Sequence, residues 1–230
     1  MSDHLENIPE LAVSRLLRYH HILMGMSQGD VVSSSDLSEK TGYTAAQIRR
    51  DLTYFGQFGT PGRGYTVDSL RNAIADVLGI NRESNVLIMG VGRVGAALLH
   101  YESFEKHRFH VVAAVDVDPE KVGLEMGRFK VRSVEDLSDI VTEGDIRMAI
   151  LCVPPAQAQT AVEQLVRAGI RAILNLTAMP VDVPDDVSVR PVNLAVELEW
   201  LAMAQSRRGG SRGEKAVPET GFNEKKKGGD

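Results

Sequence analysis

The sequence predicts an α/β protein built in two parts, on three observations. Between residues 81 and 192, short apolar runs rich in β-branched residues alternate with helical stretches. The first of those runs ends in a glycine-rich turn, Gly90-Val91-Gly92-Arg93-Val94-Gly95. Ahead of it, residues 1–80 hold three helical patterns and a glycine-rich hairpin pattern, followed by a fourth helical pattern. Strand–helix alternation implies a parallel sheet covered on both faces, whereas three helices and a hairpin outline a winged helix-turn-helix. The expected organisation is a winged helix-turn-helix domain over 1–80, a Rossmann-type parallel-sheet domain over 81–192, a C-terminal helix over 193–205 and a disordered tail over 206–230.

Pro9 sits where a first helical turn tolerates proline. After it, Val13, Leu16, Leu17, His20 and Leu23 share one helical face. "SSSDLSEKTG" reads as a short capped helix ending at Gly42. Thr44 caps a third helix, "AAQIRRDLTYF", with Gln47 placed to complete a capping box. The short turn at Gly42-Tyr43 is the feature a helix-turn-helix needs. "GQFGTPGRGYTV" forms the hairpin, and "DSLRNAIADVLG" is a helix closed by Gly79. In such a module the third helix enters the DNA major groove. Gln47, Arg49, Arg50 and Tyr54 are its polar candidates, Thr44 stands at its phosphate-attracting N-terminus, and Arg63 is at the hairpin tip. Residues 1–80 carry seven Lys/Arg against nine Asp/Glu, so a helical cap with a solvated arginine pair fits the pattern as well.

In the second part, "NVLIMG", "HVVAAVDVD", "MAILCVP" and "RAILNLT" read as strands, with a last strand near residue 190. Helices are expected over 93–104, 133–142 and 155–168. Gly90 permits the tight turn, Gly92 lets the backbone approach a pyrophosphate, and Gly95 lets helix pack on strand. Asp116 follows Gly95 by 21 residues, at the end of the next strand. An acid there accepts ribose hydroxyls and repels a 2′-phosphate, which favours NAD(H) over NADP(H). Val153, Pro154, Asn175 and Thr177 fall at carboxyl ends of strands, where the nicotinamide end would lie. A glycine turn serving another nucleotide, such as coenzyme A, remains open.

Net charge is −5, so any DNA binding must come from a local patch. No apolar run reaches the ~18 residues of a membrane span, and "MSDHLENIPE" lacks the apolar core of a secretory signal. A soluble cytoplasmic protein without a membrane partner is expected. Cys152 is the only cysteine and the six histidines are scattered, which gives neither an internal disulfide nor a zinc set, and no metal is expected. A dehydrogenase needs a substrate domain and a proton donor or acceptor near the cofactor. After the last strand only one helix and the tail follow, so catalysis is not expected. That helix, Asn193–Gln205, carries an apolar stripe of Leu194, Leu198, Trp200 and Leu201.

"IPELAVSRLLRY", "TAAQIRRDLTYFGQFGTPGRGYTV", "IMGVGRVGAAL", "AAVDVDPEKVG" and "ILNLT" stand in this order over residues 8–203. In these blocks the chain resembles the Rex family of bacterial redox-sensing transcriptional repressors. The resemblance implies a homodimer with exchanged C-terminal helices, NAD(H) as cofactor and an inverted-repeat DNA operator, bound when NADH is scarce. It further implies that Arg49 and Arg50 contact DNA, that Arg15 contacts a phosphate, and that Gly90 to Gly95 with Asp116 hold the dinucleotide. Tyr101 matches a tyrosine near the nicotinamide that changes partner with redox state. Two positions depart from the family: His21 stands where many members have arginine, and Asn193 where many have aspartate. With Tyr101 these are the expected switch residues, joined by a neutral contact weaker than an arginine–carboxylate pair. The competing readings are a small NAD-dependent oxidoreductase with a helical N-terminal cap and a coenzyme A module. The short segment after the last strand weighs against the first, and Asp116 against the second.

Overall fold

The computed structural model of the chain describes residues 8–55 and 64–210. Arg63, the tip of the hairpin pattern and the tail beyond Gly210 lie outside the described residues. Two compact units are present, Met1–Val86 with His100–Val112, and Leu87–Leu99 with Ala113–Asp230.

The helical portion of the first unit runs α1 (Glu10–Met24), β1 (Val31–Val32), α2 (Ser34–Thr41), α3 (Ala45–Leu52), β2 (Tyr65–Thr66) and α4 (Val67–Leu78). The strand leaving the hairpin, β2, pairs antiparallel with β1, a two-residue strand too short to register as a pattern. On α1 the buried stripe is Ala12, Leu16, Tyr19 and Leu23, one step round from the expected face, and Leu17 is exposed. Tyr19 accounts for the rotation: its ring is buried while its hydroxyl finds a polar partner inside. The stripe packs on Leu37, Ile48, Leu52, Leu70 and Ile74. Gly42 ends α2 in the left-handed region at φ 77°, which turns the chain into α3. The reciprocal capping box lies at Ser33 and Asp36 of α2. At α3 only half of one forms: Thr44 Oγ1 accepts from Gln47 N at 3.2 Å, but the Gln47 amide turns inward to Asp51.

Asp51 is the reason. Its side chain is fully buried, and a buried carboxylate is costly unless hydrogen-bonded. Arg15 donates to both of its oxygens at 2.7 Å, Tyr19 Oη donates at 2.8 Å and Gln47 Nε2 at 2.9 Å. Burial alone would push the Asp51 carboxyl up, yet the hydrogen bonds from Arg15, Tyr19 and Gln47 outweigh it and hold it below the ordinary range.

The chain continues as β3 (Ser84–Met89), α5 (Arg93–Leu98), α6 (Ser103–Lys106), which belongs to the first unit, β4 (Phe109–Asp116), β5 (Glu125–Met126), β6 (Phe129–Lys130), β7 (Arg132–Ser133), α7 (Leu137–Glu143), β8 (Met148–Leu151), α8 (Ala158–Arg167), β9 (Ala172–Asn175), β10 (Ser188–Pro191) and α9 (Leu194–Gly210). Six strands form one sheet in the order β10-β9-β8-β3-β4-β7. The pairs β10–β9, β9–β8 and β4–β7 are parallel. Numbered by their sequence within the sheet, this is the 3-2-1-4-5-6 order of a Rossmann fold, with its reversal between β3 and β8. Leu87, Met89, Val115, Leu151, Leu165 and Ile173 anchor the core between sheet and helices.

Three expected helices shorten. The segment 93–104 breaks into α5 and α6, with Tyr101 in the gap, because Glu102 and Ser103 stand where a helix continuing from buried Leu99 needs apolar residues. The other two begin as 3₁₀ turns at Val134–Asp136 and Pro155–Gln157. The C-terminal helix runs to Gly210, past the expected end at Gln205. No helix of the described residues is long and apolar enough to cross a membrane.

The Asp51 cluster makes a stability prediction. Its folded carboxyl is depressed, so its contribution is present above the ordinary carboxylate value of about 3.9 and is lost as pH falls through the folded value. Asp51→Ala strands Arg15 and Tyr19 and should cost about 3–5 kcal/mol, read as a lowered urea midpoint at pH 7. The deficit relative to wild type should shrink between pH 5 and about 3; an unchanged deficit there would remove the carboxylate as its cause.

Candidate nucleotide site and recognition helix

A cavity of about 810 Å³ lies where the sheet order reverses, at the carboxyl ends of β3 and β8. The glycine turn forms one wall. Gly90 has φ +95°, and a Cβ there would stand 2.8 Å from the Cys152 carbonyl, so no other residue fits. A Cβ on Gly95 would stand 2.0 Å from the Gly90 carbonyl oxygen, which measures how closely α5 packs on the turn. Gly92 differs: nothing lies within 4 Å of its Cβ position, and it caps α5 facing the open cavity. Arg93 and Val94 line the cavity beside it. Val91 is buried, and its N–H donates to Asp116 Oδ2 at 2.7 Å.

Asp116 lines the cavity beside the turn, only 6% exposed. Its Oδ1 accepts from Asp118 N at 2.9 Å, and its Oδ2 also faces Lys121 Nζ at 3.2 Å. Burial would raise its carboxyl, but the backbone N–H groups of Asp118 and Val91 and the Lys121 ammonium hold it below the ordinary range, so it is ionised. Lys121 was not among the expected site residues. The signal was in "DVDPEK": Lys121 follows Asp118 by three residues, one turn on, and the segment curls back on Asp116. Gln157, Thr160 and Gln164 also line the cavity unforeseen, because the helix start at 155 hides which face of α8 looks inward. Cys152 lies in the wall, and burial pushes its thiol up to about 11.

Among the remaining sequence candidates, Val153 and Pro154 line the cavity, and Asn175 and Thr177 do not. Those two are buried in a turn that they lock. Asn175 Oδ1 accepts from Thr177 N at 2.9 Å and from its hydroxyl at 2.7 Å, and Asn175 Nδ2 donates to Met179 O. Tyr101 belongs to the first unit, is 54% exposed and meets Phe104 edge-on. Asn193 caps α9 by accepting from Ala195 N and Val196 N. His21 pairs with His107, the rings stacked and Nδ1 and Nε2 3.3 Å apart.

On α3, Arg49 and Arg50 are exposed together on the face away from Ile48 and Leu52. Arg49 donates to Ser34 Oγ at 2.9 Å, which holds its side chain against α2. Tyr54 is exposed beyond the helix end. Arg15 and Gln47, both expected at DNA, donate to Asp51. Among the described residues no group of three or more His, Cys, Asp or Glu is placed to hold a metal ion.

A helix-turn-helix with an exposed arginine pair and a Rossmann-type sheet with an acid-bearing glycine turn define a class: transcription regulators that carry a nucleotide domain. Comparison with known proteins agrees. A family model described as "Putative DNA-binding protein N-terminus" matches residues 7–53, and one described as "CoA binding domain" matches residues 81–179. Redox-sensing transcriptional repressors Rex from Clostridium perfringens and Carboxydothermus hydrogenoformans are each 39% identical, over 85% and 84% of this chain and 93% and 94% of theirs. The crystal structure of RSP with NADH superposes with TM-score 0.80 at 36% identity, covering 90% of this chain and 98% of that one. RSP with NAD+ and operator DNA gives TM-score 0.80 at 37% identity over 91% and 99%. The chain belongs to the Rex family of redox-sensing transcriptional repressors.

The raised Cys152 thiol sets its reactivity. At pH 7.5 a thiol near 11 holds on the order of a hundredfold less thiolate than an ordinary one. Alkylation of the folded protein by iodoacetamide should therefore be slower than that of glutathione by at least that factor, and should accelerate as pH rises toward 10. Rates equal to glutathione would show that burial does not govern the thiol.

Proposed function

We propose that the protein is a dimeric repressor that holds an inverted-repeat operator when NADH is scarce and leaves it when NADH accumulates. One observation carries the reading: the exposed Arg49–Arg50 pair on α3 and the Gly90–Asp116 turn occur in one chain, each on its own unit. The relatives are named redox-sensing repressors, and the RSP structures contain NADH in one case and NAD+ with operator DNA in another. Arginine matches guanine edges and phosphates in the major groove. Gly92 leaves room for a pyrophosphate, and ionised Asp116 suits ribose hydroxyls and disfavours a 2′-phosphate. The dinucleotide is sensed, not turned over: among the cavity's titratable side chains, Asp116 is held ionised beside Lys121 and Cys152 is held protonated, and neither of these two is poised to move a proton near neutrality. DNA and dinucleotide meet in the cytoplasm, where the protein works.

A dimer places two α3 helices on adjacent major grooves about 34 Å apart. NAD+ and NADH differ in ring charge and shape, and a dimer that packs better around one of them shifts between two arrangements. The α9 surface supports a partner chain: Leu194 is 73% exposed and Trp200 60%, with Leu198 and Leu201 exposed beside them. Such a stripe on a free helix is the mark of an interface. His21, Tyr101 and Asn193 are proposed as the switch, and its coupling falls at the low end of the ~1–3 kcal/mol usual for allostery because neither His21 nor Asn193 carries a fixed charge.

Titrating a palindromic operator duplex with NADH, NAD+ and NADPH added separately tests the reading. NADH should release the DNA, while NADPH should be much weaker. Arg50→Ala should weaken operator binding by about 1–3 kcal/mol per subunit without changing NADH affinity. Release by NADPH at equal concentration would refute the role of Asp116.

Truncation before Leu194 should give monomers or aggregate by sedimentation, whereas removal of residues 211–230 should leave the dimer intact. A stable dimer after the longer deletion would refute the α9 interface.

A further inference from the structure

The first unit contains a second recess, of about 470 Å³, between α1, α4 and the turn Lys106–Phe109. Its lining includes six basic side chains, His20, His21, Arg71, Lys106, His107 and Arg108, and no carboxylate. The nearby acids are engaged elsewhere or only partly offset this charge. Asp68 accepts from Arg71 at 2.8 Å, Asp76 accepts from the Asn81 amide, and Glu105 bonds His110.

Two details set this recess apart from a solvated basic face. Arg108 has φ 64°, a left-handed backbone that non-glycine residues adopt at a cost and that recurs at functional positions. The turn is pinned in that form, since Arg108 O accepts from Ser84 N at 2.9 Å. Second, His21 and His107 stack with their nitrogens 3.3 Å apart, a contact that holds only while one ring lends an acceptor. His107 Nδ1 is also 2.7 Å from the Ser103 carbonyl, which fixes that nitrogen as the donor. Burial, then the charges of Arg71, His107 and His21, lower the proton affinity of half-buried His20.

We propose that this recess is a binding site for a small polyanion, a phosphate-bearing molecule of two or more negative charges. Its volume lies in the range of small-molecule sites, ~300–1,000 Å³. Arg71, Lys106 and Arg108 supply permanent charge, and charge-assisted hydrogen bonds to phosphate are the strong kind. The anion takes the place of the His21–His107 contact and lies beside half-buried His20, whose proton uptake makes it bind more tightly as pH falls from 8 to 6. His20 gains its proton in the same step, because the anion offsets the charges that suppress it.

Inorganic pyrophosphate is the probe, titrated into the full chain at constant ionic strength and followed by calorimetry and by the backbone amide and histidine side-chain NMR signals. The expected result is saturable binding to one site per chain, shifts at His20, His21 and His107, and affinity about tenfold higher at pH 6 than at pH 8. Lys106→Gln and Arg108→Gly should each weaken it about tenfold; the second also relieves the left-handed backbone, so it tests the charge without threatening the fold. Shifts reproduced by KCl at equal ionic strength, shifts confined to residues 90–95 and 116, or shifts caused by duplex DNA but not by pyrophosphate would each overturn the proposal.

Discussion

A single buried carboxylate fixes how α3 is held against α1. Asp51 lies on the inner face of α3, and its partners Arg15 and Tyr19 lie on α1. Two short helices joined by a tight turn bury too little surface to hold a fixed angle by themselves. A guanidinium gripping both oxygens supplies direction as well as energy. With α3 braced from behind, Arg49 and Arg50 face outward, and Ser34 restrains one of them from the preceding helix. Arg15 and Gln47, both read from the sequence as DNA contacts, are also donors that hold Asp51.

The second unit relies on crowding where the first relies on charge. The Gly90 carbonyl sits where a Cβ on Gly95 would go, and the Gly90 Cα faces the Cys152 backbone. Turn, helix and neighbouring strand are therefore in backbone contact, and the open side of Gly92 is left as the space for a ligand. The clamp on Asp116 by Val91 N–H and Lys121 keeps its carboxylate ionised and aimed at that space.

The two-part architecture, the glycine turn and the acid at the end of β4 were legible because each follows from local rules: apolar periodicity, turn chemistry and spacing. The rotated face of α1 was not, since tyrosine scores as polar until a buried partner such as Asp51 is known. Asp51 itself was legible in principle, as an acid three residues after Ile48 and so on the apolar face of α3. Asn175 and Thr177 sit at strand ends, as read, but periodicity does not say whether a side chain there faces a cavity or ties its own turn. Long-range pairings such as β1 with β2 and His21 with His107 leave no trace in any window of sequence.

The protonated state of Cys152 sets how it meets oxidants. Peroxide attacks thiolates and carries them to sulfenic acid and beyond. A thiol pushed up to about 11, in a chain with no second cysteine to resolve it, is a poor target. The same residue's backbone abuts Gly90, so an oxidised side chain would sit against the turn that shapes the cavity. A sulfur kept protonated by burial offers peroxide little thiolate, which keeps that wall of the cavity chemically quiet.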